Sequence, residues 1–313
     1  MYKIQFNLLT DEESIAKNMH IHGFKLVDLI TGKTDDFYEK LLIPKHSFKN
    51  NGHRLVYKPN YRIEGFHKDL LMQINYNSDG LVHECSHGFV KGKSILTNAN
   101  AHLDKKYLLQ MDIKSFFSSV SKEKVRYVFE KLGCNNYIAE IFSDVCTIDG
   151  FLAEGLNTSP AIANIYFYHI DEILVRLADN YSCIYTRYAD DLTFSSNIIF
   201  DYKKLTEDIE KVLNKEGLEL NKNKTRFNRQ GQAQYVTGLS ISNDIRPRIP
   251  KKIKRRLRQE LYFIKKYGFE EHFDYNGENL DKGYNRLNGW LLYSRSVEPE
   301  YFKKLNFEYK KLK

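Results

Sequence analysis

The stretch Tyr185-Thr-Arg-Tyr-Ala-Asp-Asp-Leu-Thr-Phe194 decides how the chain is read, because it sets two adjacent aspartates between two apolar runs. Residues 183–188 and 192–195 are rich in β-branched and aromatic side chains, which predicts two short strands. Ala189-Asp190-Asp191 predicts the turn of a hairpin, with both acids at its tip. Aspartate also favours turns because its side chain hydrogen-bonds nearby backbone, so the stretch alone equally fits a surface turn without chemistry.

The surroundings of the hairpin define a domain. Upstream, 107–113 is an apolar run carrying Asp112 near its end, which predicts a strand. Ser121 can cap a helix whose Val125, Val128, Phe129 and Leu132 share one face, with Gly133 as its stop. Ser159-Pro160 opens a longer helix with an apolar face of Ile162, Ile165, Tyr166, His169, Ile173 and Leu177. Downstream come a helix over 203–216, closed by Gly217, and a strand around 233–241. Nearer the start, 11–42 and 64–76 read as helical and 53–58 as a strand. This order predicts an α+β domain with a mostly antiparallel sheet covered on one face. Beyond 245, residues 246–258 hold eight positive charges and no acid, and the rest reads as helical with an interruption near 268–286.

Composition narrows the partners. The 313 residues are 42% hydrophobic, enough for a sizeable core and two or so subdomains. Forty-eight Lys and Arg against 40 Asp and Glu give a net charge of +8, which suits a polyanion. The 22 Tyr and 20 Phe suit base stacking as well as core packing. Cys85, Cys134, Cys146 and Cys183 stand singly, without the paired spacing of a zinc site or disulfide framework. No signal-like segment opens the chain and no stretch approaches about 18 apolar residues, so the expectation is a cytoplasmic protein without a membrane partner.

Asp112 resembles the Asp190-Asp191 pair in ending an apolar strand. A carboxylate buried without a partner costs several kcal/mol or becomes protonated, so three such acids call for a shared cation. If strand 107–113 lies beside the hairpin, they converge at one end of the sheet. Mg²⁺ prefers hard oxygen ligands and is usually held by one or two carboxylates plus substrate phosphates. Two such ions about 3.5–4 Å apart would serve an in-line phosphoryl transfer. Asp112 as a turn or capping acid remains the alternative.

At this point the residues resemble a known family. Tyr188-Ala189-Asp190-Asp191 is similar to the catalytic tetrapeptide of reverse transcriptases, and Met111-Asp112-Ile113-Lys114-Ser115-Phe116-Phe117 to their first acidic motif. Gly155-Leu156-Asn157-Thr158-Ser159-Pro160 resembles the motif that supports template and incoming nucleotide, and Gly217-Leu218-Glu219-Leu220-Asn221 with Lys224-Thr225 the next. Asn98-Ala99-Asn100-Ala101-His102 and Val236-Thr237-Gly238 narrow the resemblance to retron reverse transcriptases. One departure stands out: Ala153-Glu154-Gly155 replaces the usual Pro-Gln-Gly.

The resemblance implies a right-hand polymerase fold: N-terminal helices and fingers over 1–105, a palm over 106–240 with a fingers segment inserted at about 121–155, and a helical thumb over 241–313. It implies that Asp112, Asp190, Asp191 and the Ile113 carbonyl hold two Mg²⁺. Phe117 is implied as the steric gate against a 2′-OH, Arg54 and Lys49 as triphosphate ligands, and Lys224 as proton donor to pyrophosphate. Ser159 falls in the nucleotide-supporting motif. RNA contacts are expected from Asn98, His102, Val236, Thr237 and Gly238. The basic segment, Arg246, Arg248, Lys251, Lys252, Lys254, Arg255, Arg256 and Arg258, is expected to neutralise phosphates. The implied partners are dNTPs, a cognate structured noncoding RNA primed at a 2′-OH, the DNA copied from it, and a defence effector. No RNase H-like domain is expected. A group II intron or abortive-infection relative, and a non-catalytic RNA-binding scaffold, are the alternatives.

Overall fold

The computed structural model describes residues 3–19, 34–44, 52–242 and 245–312; Lys49 and residues 20–33 lie outside them. Described in chain order, α1 (Glu12–Asn18) is followed by the short α2 (Thr34–Phe37), which runs into β1 (Tyr38–Pro44). β1 pairs antiparallel with β2 (His53–Pro59), from Tyr38 opposite Pro59 to Pro44 opposite His53. The helical expectation for 11–42 is therefore corrected at 38–42. Only Tyr38 of β1 is buried, so the segment carries no alternating pattern, and its pairing with β2 makes it a strand.

Next come α3 (Tyr61–Asn77), α4 (Ile95–Asn100), β3 (Tyr107–Asp112), α5 (Lys122–Lys131) and α6 (Asn136–Cys146). β4 (Thr147–Ile148) and β5 (Phe151–Leu152) form a short hairpin. The helix expected from Ser159 is two helices, α7 (Ser159–Tyr166) and α8 (Tyr168–Asn180), separated at Phe167. The break shifts the buried face. Ile170, Asp171, Leu174 and Ala178 are buried, whereas His169 and Ile173, expected inside, are exposed.

β6 (Ile184–Tyr188) and β7 (Asp191–Ser196) are the predicted hairpin. α9 (Tyr202–Lys215) is followed by β8 (Arg226–Arg229), and the sheet order is β6-β7-β3-β8. The expected strand near 233–241 is a tight hairpin of β9 (Tyr235–Val236) and β10 (Leu239–Ser240) turning at Thr237-Gly238. Four helices close the description: α10 (Lys251–Tyr267), α11 (Phe269–Tyr275), α12 (Leu280–Val297) and α13 (Pro299–Lys310). The fold is mixed α and β, as expected.

Two compact units divide the chain. One comprises Met1–Gly92, Leu109–Phe194 and Phe200–Arg226; the other comprises Lys93–Leu108, Ser195–Ile199 and Phe227–Lys313. In the second, Leu257, Leu261, Ile264, Phe273, Leu287, Leu291, Leu305 and Tyr309 from α10–α13 form one core. Gly283 admits the Phe273 ring there, since a Cβ at that position would come within 2.3 Å of it. Among the described residues no helix is long and apolar enough to cross a membrane. All four cysteines are buried and free.

Candidate active site

The acids meet through the backbone. The Ile113 N–H, just past β3, donates to the Asp190 carbonyl at 2.9 Å, and the Asn221 N–H donates to the Asp112 carbonyl at 2.7 Å. The ends of β3, of the hairpin and of the 217–221 segment are thus joined by main-chain bonds.

The Asp112 side chain is buried, and its Oδ2 receives the Lys224 ammonium at 2.5 Å. Burial raises the Asp190 carboxyl, Asp112 raises it further, and Lys224 and Arg54 oppose the rise. Asp191 keeps an exposed side, yet crowding on its other side, with Asp190 and Asp112 beside it, pushes its carboxyl up to about 6. The three carboxylates therefore repel one another, a repulsion that a divalent cation relieves. Among the described residues no three His, Cys, Asp or Glu side chains form a ready-made metal cage. The hard-oxygen donor set fits an open Mg²⁺ site that takes its remaining ligands from water and substrate phosphates.

The tip of the hairpin is held from behind by a network that the sequence reading missed. Ala189 adopts a left-handed backbone (φ 54°), an unfavourable state for a residue with a Cβ. Its carbonyl accepts from Nη1 of Arg187 at 3.3 Å, and the same nitrogen donates to Asn164 Oδ1 at 3.0 Å. Arg187 is fully buried; its Nη2 lies 2.6 Å from Asp171 Oδ2 and its Nε 2.9 Å from Oδ1, while Tyr185 donates to Oδ1 at 3.0 Å. Arg187 also exchanges backbone hydrogen bonds with Cys85 and His87. Gly88 lies so close that a Cβ on it would meet the Ala189 nitrogen at 2.7 Å. The available signals were an arginine inside an apolar strand and an acid on the face of α8 that the break at Phe167 turns inward.

The other expected nucleotide ligands divide. Phe117 is half-buried, edge-on to Phe116 with centroids 5.2 Å apart, so part of its ring stays open. Arg54 is exposed on β2 and pairs with Glu154, its Nε 3.2 Å from Oε2. Ser159 is a correction: its hydroxyl is buried and donates to the Ala153 carbonyl at 2.6 Å, bracing the 153–155 loop instead of facing a ligand. Lys49 lies outside the described residues.

In the second unit, the two elements expected to contact RNA bind each other. Ala99, Val236 and Leu239 share a core with Ile249 and Val297, and the Thr237 hydroxyl donates to the Ile95 carbonyl at 3.0 Å. Asn98, His102 and Val236 are fully buried, and His102 Nδ1 bonds Ser195 Oγ at 2.6 Å. The expectation of direct RNA contact is corrected for these three, because a side chain without surface has nothing to offer a ligand. Thr237 and Gly238, at the turn, keep surface. Lys254 is also corrected: its ammonium is held by the buried Glu298 at 2.7 Å. Arg248 is half-buried, while Arg246, Lys251, Lys252, Arg255, Arg256 and Arg258 are exposed.

Comparison with known proteins identifies the family. Residues 43–241 match the family described as reverse transcriptase (RNA-dependent DNA polymerase), and the chain belongs to that family. Several similar curated relatives are of retron type. They include the retron Mx65 reverse transcriptase of Myxococcus xanthus, 30% identical over 86% of this chain and 63% of the relative. The retron Ec86 and Ec73 reverse transcriptases of Escherichia coli are 31% and 27% identical, over 70% and 83% of this chain and 64% and 84% of the relatives. The chain thus spans slightly under two thirds of the length of the first two. Among solved structures it is similar to the apo telomerase of Candida tropicalis, with a TM-score of 0.46 and 12% identity over 65% of this chain and 46% of that one.

Proposed function

We propose that the chain is an RNA-directed DNA polymerase of retron type that copies part of a structured noncoding RNA into DNA. The observation that carries this reading is the convergence of Asp112, Asp190 and Asp191, tied by the Ile113–Asp190 backbone bond, with the Asp190 and Asp191 carboxyls raised by burial and then by the neighbouring acids. The mapping onto fingers (1–105 and about 121–155), palm (106–240) and thumb (241–313) belongs to the same proposal.

Two Mg²⁺, when bound, would lower the pKa of the attacking hydroxyl and neutralise the leaving pyrophosphate. The three aspartates and the Ile113 carbonyl would hold them. Arg54 would grip the triphosphate, for which a forked guanidinium is suited. Phe117 would close the space at the sugar C2′ and so exclude ribonucleotides. Lys224, at present on Asp112, would move to protonate the departing pyrophosphate. The exposed cations from Arg246 to Arg258 would neutralise phosphates of the bound nucleic acid, supplying affinity more than sequence choice.

Resemblance to retron enzymes supports the finer reading: priming from an RNA 2′-OH to give branched RNA–DNA, action in the bacterial cytoplasm, and a place beside an effector in anti-phage defence. The test compares nucleic acid co-purifying with wild type and with an Asp190→Ala, Asp191→Ala double variant, both expressed from the native locus. Wild type should carry a small DNA that shifts on RNase treatment, and the variant RNA alone. RNA without DNA in both would refute the proposal.

A further inference from the structure

The departure at Ala153-Glu154-Gly155 acquires a partner in the fold. The Glu154 carboxylate, about three-quarters buried, lies 3.2 Å from the Arg54 guanidinium, 100 residues away in sequence. The pair is held in register by the backbone. Tyr57 N–H donates to the Glu154 carbonyl at 2.8 Å. Gly155 (φ +102°) is pressed so closely on β2 that a Cβ there would meet the Tyr57 carbonyl and Val56 Cγ1 at 2.4 Å. With Tyr57 fixed on Glu154 itself, Arg54, three residues back along β2, is brought within reach of its carboxylate. Arg54 lies near enough to Asp190 for its charge to oppose the rise of that carboxyl.

A glutamine here would offer Arg54 a neutral acceptor. Glutamate offers a full negative charge, which a triphosphate must displace and which also repels the triphosphate. We propose that Glu154 is an affinity-setting competitor: its carboxylate holds Arg54 and yields it to the incoming nucleotide, setting the concentration of dNTP at which the site fills. The inference rests on the polymerase reading and on Arg54 as a triphosphate ligand. Because the competition is between a carboxylate and phosphates, it is the same for all four bases.

The test is steady-state primer extension by the purified full chain, on RNA templates calling for each dNTP, with wild type, Glu154→Gln, Arg54→Gln and the double variant. A partly exposed pair of this kind predicts KM in Glu154→Gln lower by about two- to fivefold, equally for the four dNTPs and with a smaller change in kcat. The gap should narrow as salt screens the charges and vanish in the Arg54→Gln background, where no guanidinium remains to be contested. An unchanged or raised KM, or an equal gap without Arg54, overturns the proposal. If wild type incorporates no nucleotide, the polymerase reading fails, and calorimetric titration with inorganic tripolyphosphate still reads the competition. Tighter binding by Glu154→Gln than by wild type then upholds it, and equal binding overturns it.

Discussion

Exchange of Arg187 for methionine removes the guanidinium that meets both oxygens of Asp171, Asn164 Oδ1 and the Ala189 carbonyl. Asp171, fully buried, would keep the Tyr185 hydroxyl but lose its counter-charge. Breaking a buried pair from one side costs about 3–5 kcal/mol, so the urea midpoint of Arg187→Met should fall steeply. A second variant, Asp171→Leu with Arg187→Met, removes the stranded charge, and apolar replacement of a buried pair is often neutral or stabilising. Stability should return. Activity should not, because the Ala189 carbonyl still lacks its donor and the left-handed turn carrying Asp190 still lacks its brace. A displacement of the reacting groups by about 1 Å costs on the order of 10²-fold, which sets the expected loss in single-turnover primer extension. A double variant with wild-type turnover would refute the positioning role. A single variant losing under about 1 kcal/mol would refute the energetic account of the pair.

Phe117→Ala should raise the ratio of ribonucleotide to deoxyribonucleotide incorporation by about ten- to hundredfold, read by competition between rNTP and dNTP; an unmoved ratio rejects the gate. His67 is fully buried, and burial pushes its imidazole down to about 4, so the folded chain refuses a proton that the unfolded chain accepts below its ordinary 6.5. That stability is complete above pH 6.5 and declines as pH falls toward 4, by roughly 3 kcal/mol, and urea titrations across this window should show a smaller decline in His67→Gln. Arg255→Gln and Arg258→Gln should each lower the slope of log K against log salt for RNA binding by roughly 0.7–0.9 in anisotropy titrations and leave the urea midpoint in place. Lys254→Gln should do the reverse, since its charge is committed to Glu298.

The hairpin and its acids were legible because every signal there is local: β-branched flanks, a turn, and acids at its tip. The helix starts are local in the same way, although only one cap falls where expected: Ser121 is the N-cap of α5, whereas Thr158 takes that place in α7 and Ser159 is its first helical residue. The sequence hides what depends on distant partners. β1 reads as helix because six of its seven residues are exposed, and its strand character exists only through β2. The inward face of α8 was misplaced by one residue because nothing in the periodicity marks the break at Phe167. Asn98 and His102 carry a family signature, but whether such a residue faces RNA or the interior depends on distant partners, as His102 does on Ser195, 93 residues downstream. Glu154 was visible as a departure, and its meaning needed Arg54.

Glu298 sits where α12 ends and α13 begins, and its buried carboxylate takes both the Ile249 N–H and the Lys254 ammonium at 2.7 Å. Concentrated salt shortens the reach of exposed charges to about 3 Å at 1 M but screens a buried pair much less. The cations that would hold nucleic acid and the ion pair that fastens this unit together therefore answer differently to the same solvent. A high-salt wash should strip the protein of bound RNA while leaving this joint closed, giving a folded, nucleic-acid-free starting material to which a chosen RNA can be added back.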